Sequence, residues 1–245
     1  MATIIAGISG AIGSALAHIY LEKHPGQPLV GLCRDRDTVP AVIRDDPAVT
    51  LLRWEAAQPL EESDTNLLKQ ALDDDDGTLT LVYAAGLLHD QDMFPEKRVE
   101  DLQADALQQA FQVNCLGFAM LVKTLVPYFR GRHLTRVAAI SAKVGSIADN
   151  RFGGWYAYRC SKAALNMLVK NLSIELPRRF APVTCVALHP GTTESPLSKP
   201  FRQSLAKLEV HSPEDTAANL YGILNALTED DNGRFIGWDG SDLPW

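Results

Sequence analysis

Two rhythms of apolar residues alternate along this chain. Short continuous apolar runs at residues 3–6, 29–33, 49–54, 78–84, 136–140, 183–188 and 234–236 end in glycine, proline or charge and predict seven strands. Between them apolar positions recur three and four apart over 14–23, 39–45, 60–72, 102–126 and 213–227, and from Gly153-Gly154 onward through Leu168 and Leu172, predicting helices. Ser212 is placed to cap the 213–227 helix, with Pro213 at its first position. The 102–126 pattern is too long for one helix and is expected to break near Asn114-Cys115-Leu116-Gly117. An asparagine at such a break can bond freed backbone groups or an ordered water. Strand and helix alternate throughout, without linker or repeat. That order predicts a single α/β domain over residues 1–245, a doubly wound and mostly parallel seven-stranded sheet with helices on both faces. Residues 87–98 and 193–210 fit neither rhythm and read as loops, with 195–210 as a mobile segment or lid. The acidic run at 73–76 reads as a solvated turn.

Composition narrows the function classes. With 46% hydrophobic and 22% charged residues, the chain resembles an ordinary globular protein. A net charge of −7 argues against non-specific nucleic-acid binding and against attachment to an anionic membrane. No apolar run is expected to approach the roughly 20 residues that span a bilayer. The first residues lack the basic segment and cleavage site of a signal peptide and lead straight into a strand. Cys33, Cys115, Cys160 and Cys185 are dispersed, without the spacing of a metal site or redox pair, and read as buried small hydrophobes. A cytoplasmic location is therefore expected.

Chemistry concentrates at the ends of the predicted strands. On the helix after Gly154, Tyr158 and Lys162 lie four apart and project from one face. An ammonium beside a phenol favours phenolate and is expected to lower the tyrosine pKa, making it usable as an acid or base. The pair alone could be a coincidence of spacing. Its rival Tyr156 has uncharged Cys160 at the same offset. After the first strand, Gly7-Ile8-Ser9-Gly10-Ala11-Ile12-Gly13 precedes a helix. In that context Gly7 permits a tight turn, Gly13 permits close helix–strand packing, and the helix N-terminus offers N–H groups to a phosphate. A merely flexible turn is the plainer alternative. Arg34-Asp35-Arg36-Asp37 follows the second strand, where dinucleotide folds select their cofactor. A guanidinium there accepts a 2′-phosphate, so Arg34, helped by Arg36, points to NADP(H), while Asp35 keeps NAD(H) open. Glu55, after the third strand, could reach an adenine amino group. Ala85-Gly86, Ser141 and His189-Pro190-Gly191-Thr192-Thr193 stand at later strand ends, where such sheets bind ligands.

Taken in order, these motifs resemble the short-chain dehydrogenase/reductase family over essentially the whole chain. Gly7-x-x-x-Ala11-x-Gly13 stands for its Gly-x-x-x-Gly-x-Gly loop, and Ala85-Gly86 for the end of its Asn-Asn-Ala-Gly strand. Val113-Asn114, Ser141, Tyr158-x-x-x-Lys162 and Pro190-Gly191 are similar to its remaining motifs. Segments 154–162, 189–192 and 238–245 resemble the C-factor branch. Ala11 replaces a glycine, Tyr83-Ala84 replaces the paired asparagines, and Ser195 stands where the family has threonine. The resemblance implies a Rossmann-like fold that interconverts a carbonyl and an alcohol. In it Tyr158 is general acid and base, Lys162 lowers its pKa and holds the nicotinamide ribose, and Ser141 steadies the carbonyl oxygen. Asn114 would hold a water that links Lys162 to solvent. The cofactor would rest on Gly7, Ser9, Gly10, Ile12, Gly13, Arg34, Ala85, Gly86, Asn114, Tyr158, Lys162, Pro190, Gly191, Thr192 and Thr193.

Expected partners are a small carbonyl or alcohol substrate and further copies of the chain, as homodimer or homotetramer. The run Met167-Leu168-Val169 fits such an interface or the core equally. The competing reading is a cofactor-binding regulatory or cell–cell signalling protein with little or no turnover. The loops at 87–98 and 193–210 favour no substrate class.

Overall fold

A computed structural model describes residues 1–72, 77–131, 133–201 and 209–245. The expected acidic turn, and the part of the expected lid at 202–208, lie outside them. Seven parallel strands form one sheet in the order β3-β2-β1-β4-β5-β6-β9. They are β1 (Ala2–Ala6), β2 (Leu29–Cys33), β3 (Val49–Arg53), β4 (Leu79–Tyr83), β5 (Thr135–Ile140), β6 (Val183–His189) and β9 (Phe235–Gly237). These are the seven runs expected. Strand order reverses direction between β1 and β4, and the crevice at such a switch point is where open α/β sheets bind ligands. Ala6 pairs with Tyr83, and Tyr83 in turn with Ala139, so the strands end level and their following loops share one edge.

Alternation along each strand feeds two cores. Ile4, Leu81 and Tyr83 face a cluster with Phe118, Leu165 and Val169, whereas Ile5 and Val82 face one with Leu16 and Leu220. Helices α1 (Ala11–Lys23), α2 (Ala41–Arg44) and α7 (Pro213–Ala226) cover the second face. Helices α3 (Glu62–Leu72), α5 (Gly117–Leu125) and α6 (Tyr156–Phe180) cover the first, and α4 (Ala104–Phe111) packs on α6. Each fully buried Leu or Ile contributes about 1.5–3 kcal/mol, which makes these two faces the main source of stability. Ser212 caps α7 as expected, accepting from the Asp215 N–H.

Three expectations need correction. The expected break near Asn114 is a π-helical turn, Gln112–Leu116, so the rod from Ala104 onward continues without a gap. The span Ala104–Tyr128 is also, by length and composition alone, apolar enough to cross a membrane; 44% of its apolar window is buried, and it packs on α6 and the sheet like a core helix. Finally, β7 (Thr192–Thr193) and β8 (Val210–His211) form a two-residue parallel ladder that brackets the expected lid. Two residues per strand carry no readable alternation, so the sequence pattern could not announce it.

Candidate active site

Gly7 and Gly13 build the first wall. Gly7 has a φ of +84°, and a Cβ on it would lie 2.8 Å from the Ala85 nitrogen. A Cβ on Gly13 would lie 2.2 Å from the Gly7 carbonyl oxygen. Both glycines therefore bring β1, β4 and α1 closer than any side chain permits, as expected of them. Gly10 is the N-cap of α1, no side chain caps it, and the first turn holds no carboxylate. Ser9 and Gly10 are exposed and Ile12 is half-buried, so this turn presents backbone N–H groups and the positive end of the helix to an anion. Ala11 begins the helix, so the methyl in place of glycine leaves the turn intact.

Arg34 is exposed just beyond β2 and lines a groove of about 580 Å³ with Asp35, Arg36, Arg53, Glu61 and Asp64. Arg36, expected to help it, donates instead to the buried carboxylate of Asp64 at 2.6 Å. Arg53, at the end of β3, also lines this groove, and sequence reading passed over it as a strand residue. Glu55 is exposed.

Ser141, Lys162, Asn114 and Gly86 converge where β4 and β5 end. Ser141 follows β5 directly, is 2% exposed, and donates to Asn166 Oδ1 at 2.6 Å. The Nδ2 of Asn166 is buried without a hydrogen-bond partner among the described residues. Lys162 is 3% exposed and its ammonium donates to the Ile140 carbonyl at 2.8 Å, one residue before Ser141. Space for a Cβ on Gly86 lies 3.6 Å from Asn114 Oδ1 and 3.7 Å from Lys162 Nζ, so this glycine leaves a floor open beside both. Asn114 is fully buried; its Nδ2 donates to the Leu87 carbonyl and to Ser161 Oγ, and its Oδ1 accepts from the Leu87 N–H. That amide therefore pins the loop after β4 to α6. π-turns of this kind recur at functional sites, and the widened backbone is what swings Asn114 into the cleft.

Tyr158 sits one turn before Lys162 on α6, with the Lys162 ammonium 5.7 Å from its ring centroid. The expectation that Lys162 lowers the phenol pKa is not met. Although Tyr158 keeps part of its surface open, burial pushes its phenol up, and burial pushes the Lys162 ammonium down to about 8. Burial is what shifts the phenol, and the ammonium is engaged by the Ile140 carbonyl. His189, the other titratable group at this edge, is pushed down to about 4 by burial and by the Lys143 charge, which leaves it neutral near pH 7.

The loop after β6 closes the far side. Pro190 is buried, and Gly191, with φ +75°, lets the chain pass His211 and Trp238, whose rings lie 4.3 Å apart. Thr192 stays half-exposed, but the Thr193 hydroxyl is turned inward to Thr216 Oγ1 at 2.9 Å and its carbonyl accepts from Ser198 Oγ at 2.6 Å, so neither is open to a ligand. Cys160, expected to be buried with the other cysteines, is exposed on α6.

Glu96 was missed by sequence reading. It is 5% exposed, its carboxylate accepts from the Ala157 N–H at 3.2 Å, and its carbonyl accepts from the Trp155 N–H. It thereby caps α6, whose own N-cap Trp155 offers no side-chain acceptor. Nothing local signals this, because the cap comes from a loop some sixty residues earlier.

The sequence matches the profile described as short chain dehydrogenase over residues 1–206. The chain belongs to the short-chain dehydrogenase family. Among relatives, C-signal of Myxococcus xanthus is 33% identical over 146 residues, 59% of this chain and 82% of its own length. A benzil reductase ((S)-benzoin forming) of Bacillus subtilis is 27% identical over 94% of this chain and 95% of its own. A solved structure of NADPH-bound carbonyl reductase from chicken fatty liver superposes with a TM-score of 0.82 over 100% of this chain and 98% of its own, at 21% identity. For this member of the family, the glycine cradle, the open floor at Gly86 and the uncapped start of α1 fit a nicotinamide dinucleotide, and the chain is an oxidoreductase of that kind.

Proposed function

We propose that this chain is an NADP(H)-preferring oxidoreductase that interconverts a carbonyl and an alcohol, with Tyr158 as general acid and base. The observation that carries the reading is the convergence of Ser141, Tyr158, Lys162 and Asn114 beside Gly86 at the switch point of the sheet. When bound, the nicotinamide cofactor supplies a hydride to the carbonyl carbon, or removes one in the reverse direction. Tyr158 gives its phenol proton to the carbonyl oxygen in reduction and takes it back in oxidation. Burial keeps that phenol protonated near neutral pH, the form a proton donor needs. Lys162, with its pKa near 8, is mostly charged at pH 7; with its ammonium on the Ile140 carbonyl it would offset only part of the cost of the phenolate left behind.

Ser141 orients the carbonyl oxygen. Its proton rests on Asn166 Oδ1, and a half-turn of that amide would present Nδ2 to Ser141 and release the hydroxyl proton to the substrate. Asn114, bonded to Leu87 and Ser161, positions Gly86 and α6 and would carry the water that returns a proton to Lys162. The turn of Gly7, Ser9, Gly10, Ile12 and Gly13 would hold the pyrophosphate, Ala85 and Gly86 the adjoining ribose, and Pro190 to Thr193 the nicotinamide. Exposed Arg34, with Arg53 beside it, supports a 2′-phosphate and hence NADP(H). The chicken carbonyl reductase, bound to NADPH, supports the same choice.

The likeness to C-signal keeps a signalling role with little turnover as the second reading. Homo-oligomers would form through Leu116, Met120, Met167 and Ile174, which stand exposed on α5, α6 and the π-turn; Val169 belongs to the core. Calorimetric titration tests the cofactor assignment. NADPH should bind at least tenfold more tightly than NADH, and Arg34→Asp should reduce that preference by about tenfold or more. Tighter binding of NADH by the unaltered protein would overturn it.

A further inference from the structure

We propose that the carbonyl taken by this site carries an aryl group, and that Phe94, Trp155 and Phe201 form the wall on which that ring lies. The inference rests on the carbonyl–alcohol reading above and names its substrate class. A chain of ring contacts leads outward from the general acid. The Trp155 ring lies 6.3 Å from that of Tyr158, and Phe201 lies 4.9 Å from Trp155. Phe94 follows at 5.4 Å from Phe201, and His89 closes the group at 5.7 Å from Phe94 and 5.8 Å from Phe201.

These rings come from three separate stretches: the loop after β4, the turn before α6, and the turn Lys199–Phe201. His89 Nε2 lies 3.1 Å from the Leu197 carbonyl oxygen, which ties the first stretch to the third across the approach to Tyr158. Trp155 is held at φ +51°, a conformation that non-glycine residues rarely adopt, with its N–H bonded to the Glu96 carbonyl at 2.6 Å. Such strain persists only where the surroundings enforce it, and here it fixes an indole beside the catalytic tyrosine. Phe94 keeps 58% of its surface exposed, an apolar face left in water at the rim of the wall. A surface of ring faces and edges attracts another aromatic ring through complementary quadrupoles, and does so better than it attracts a saturated ring of similar size.

The test compares acetophenone with cyclohexyl methyl ketone, using NADPH and separately NADH, in the unaltered protein and in Phe94→Leu and Phe201→Leu. Leucine keeps apolar bulk while removing the ring, and comparing ratios between variants cancels the intrinsic reactivity of the two ketones. The ratio of kcat/KM values, phenyl over cyclohexyl, should fall by roughly two- to tenfold in each variant. An unchanged ratio in both variants, with both ketones reduced, would overturn the aryl assignment and leave the reductase reading standing. Failure to reduce either ketone with either cofactor would overturn the reductase reading, and the aryl assignment with it.

Discussion

Removing the Tyr83 hydroxyl probes how the π-turn that carries Asn114 is held. The phenol reaches from the end of β4 to the Val113 carbonyl at 2.5 Å, in a pocket shared with Trp54 and Phe118. Gly117 makes the room, since a Cβ there would lie 2.3 Å from the phenol oxygen and 2.9 Å from the Ala56 Cβ. Tyr83→Phe strands a buried carbonyl and should cost about 1–3 kcal/mol. Gly117→Ala forces a methyl against the phenol and should cost about 1–3 kcal/mol through overpacking. In the double variant the clash with the phenol is gone and only the Ala56 contact remains. The double variant should therefore lose less than the sum of the singles, by roughly 0.5–3 kcal/mol. Urea unfolding of the four proteins, followed by circular dichroism, measures this directly. Additivity within about 0.3 kcal/mol would refute the claim that phenol and glycine are matched parts of one support.

Glu96→Ala removes the cap of α6 and should lower stability by about 1–2 kcal/mol, a drop in Tm of roughly 2–8 °C by thermal scan; Glu96→Gln, which keeps an acceptor, should lose less. For Lys162, the folded pKa near 8 lies below the ordinary value of 10.5, so its charge weakens the fold below pH 8 and that penalty is relieved as pH rises from 8 to 10.5. Relative to Lys162→Met, the unaltered protein should therefore gain up to about 3 kcal/mol across that window in paired urea titrations.

The strands and the glycine turn were legible because they depend on short-range features: apolar runs bounded by breakers, and a turn whose close approach only glycine allows. Ser141, Tyr158 and Lys162 were legible by their places at a strand end and four apart on a helix. What stayed hidden depends on contacts between distant segments. Glu96 caps a helix from another loop, Asn166 meets Ser141 across 25 residues, and Arg36 is taken by Asp64 28 residues on. The phenol pKa was misjudged for a related reason. Spacing shows that Lys162 is near Tyr158, but only the fold shows that its ammonium is spent on the Ile140 carbonyl. Tyr83, which stands where the family has an asparagine, donates to the Val113 carbonyl, a partner thirty residues on that spacing could not show.

The central claim is that the Tyr158 phenol delivers the proton. Tyr158→Phe keeps the ring, its contacts with Trp155 and its place on α6, and removes one oxygen. Steady-state reduction of a ketone turned over by the unaltered protein should fall about 100- to 10,000-fold in kcat, while NADPH affinity by calorimetry should weaken by no more than about tenfold, the cost of one lost hydrogen bond. A Tyr158→Phe protein that reduces the same ketone at the unaltered rate would contradict the account.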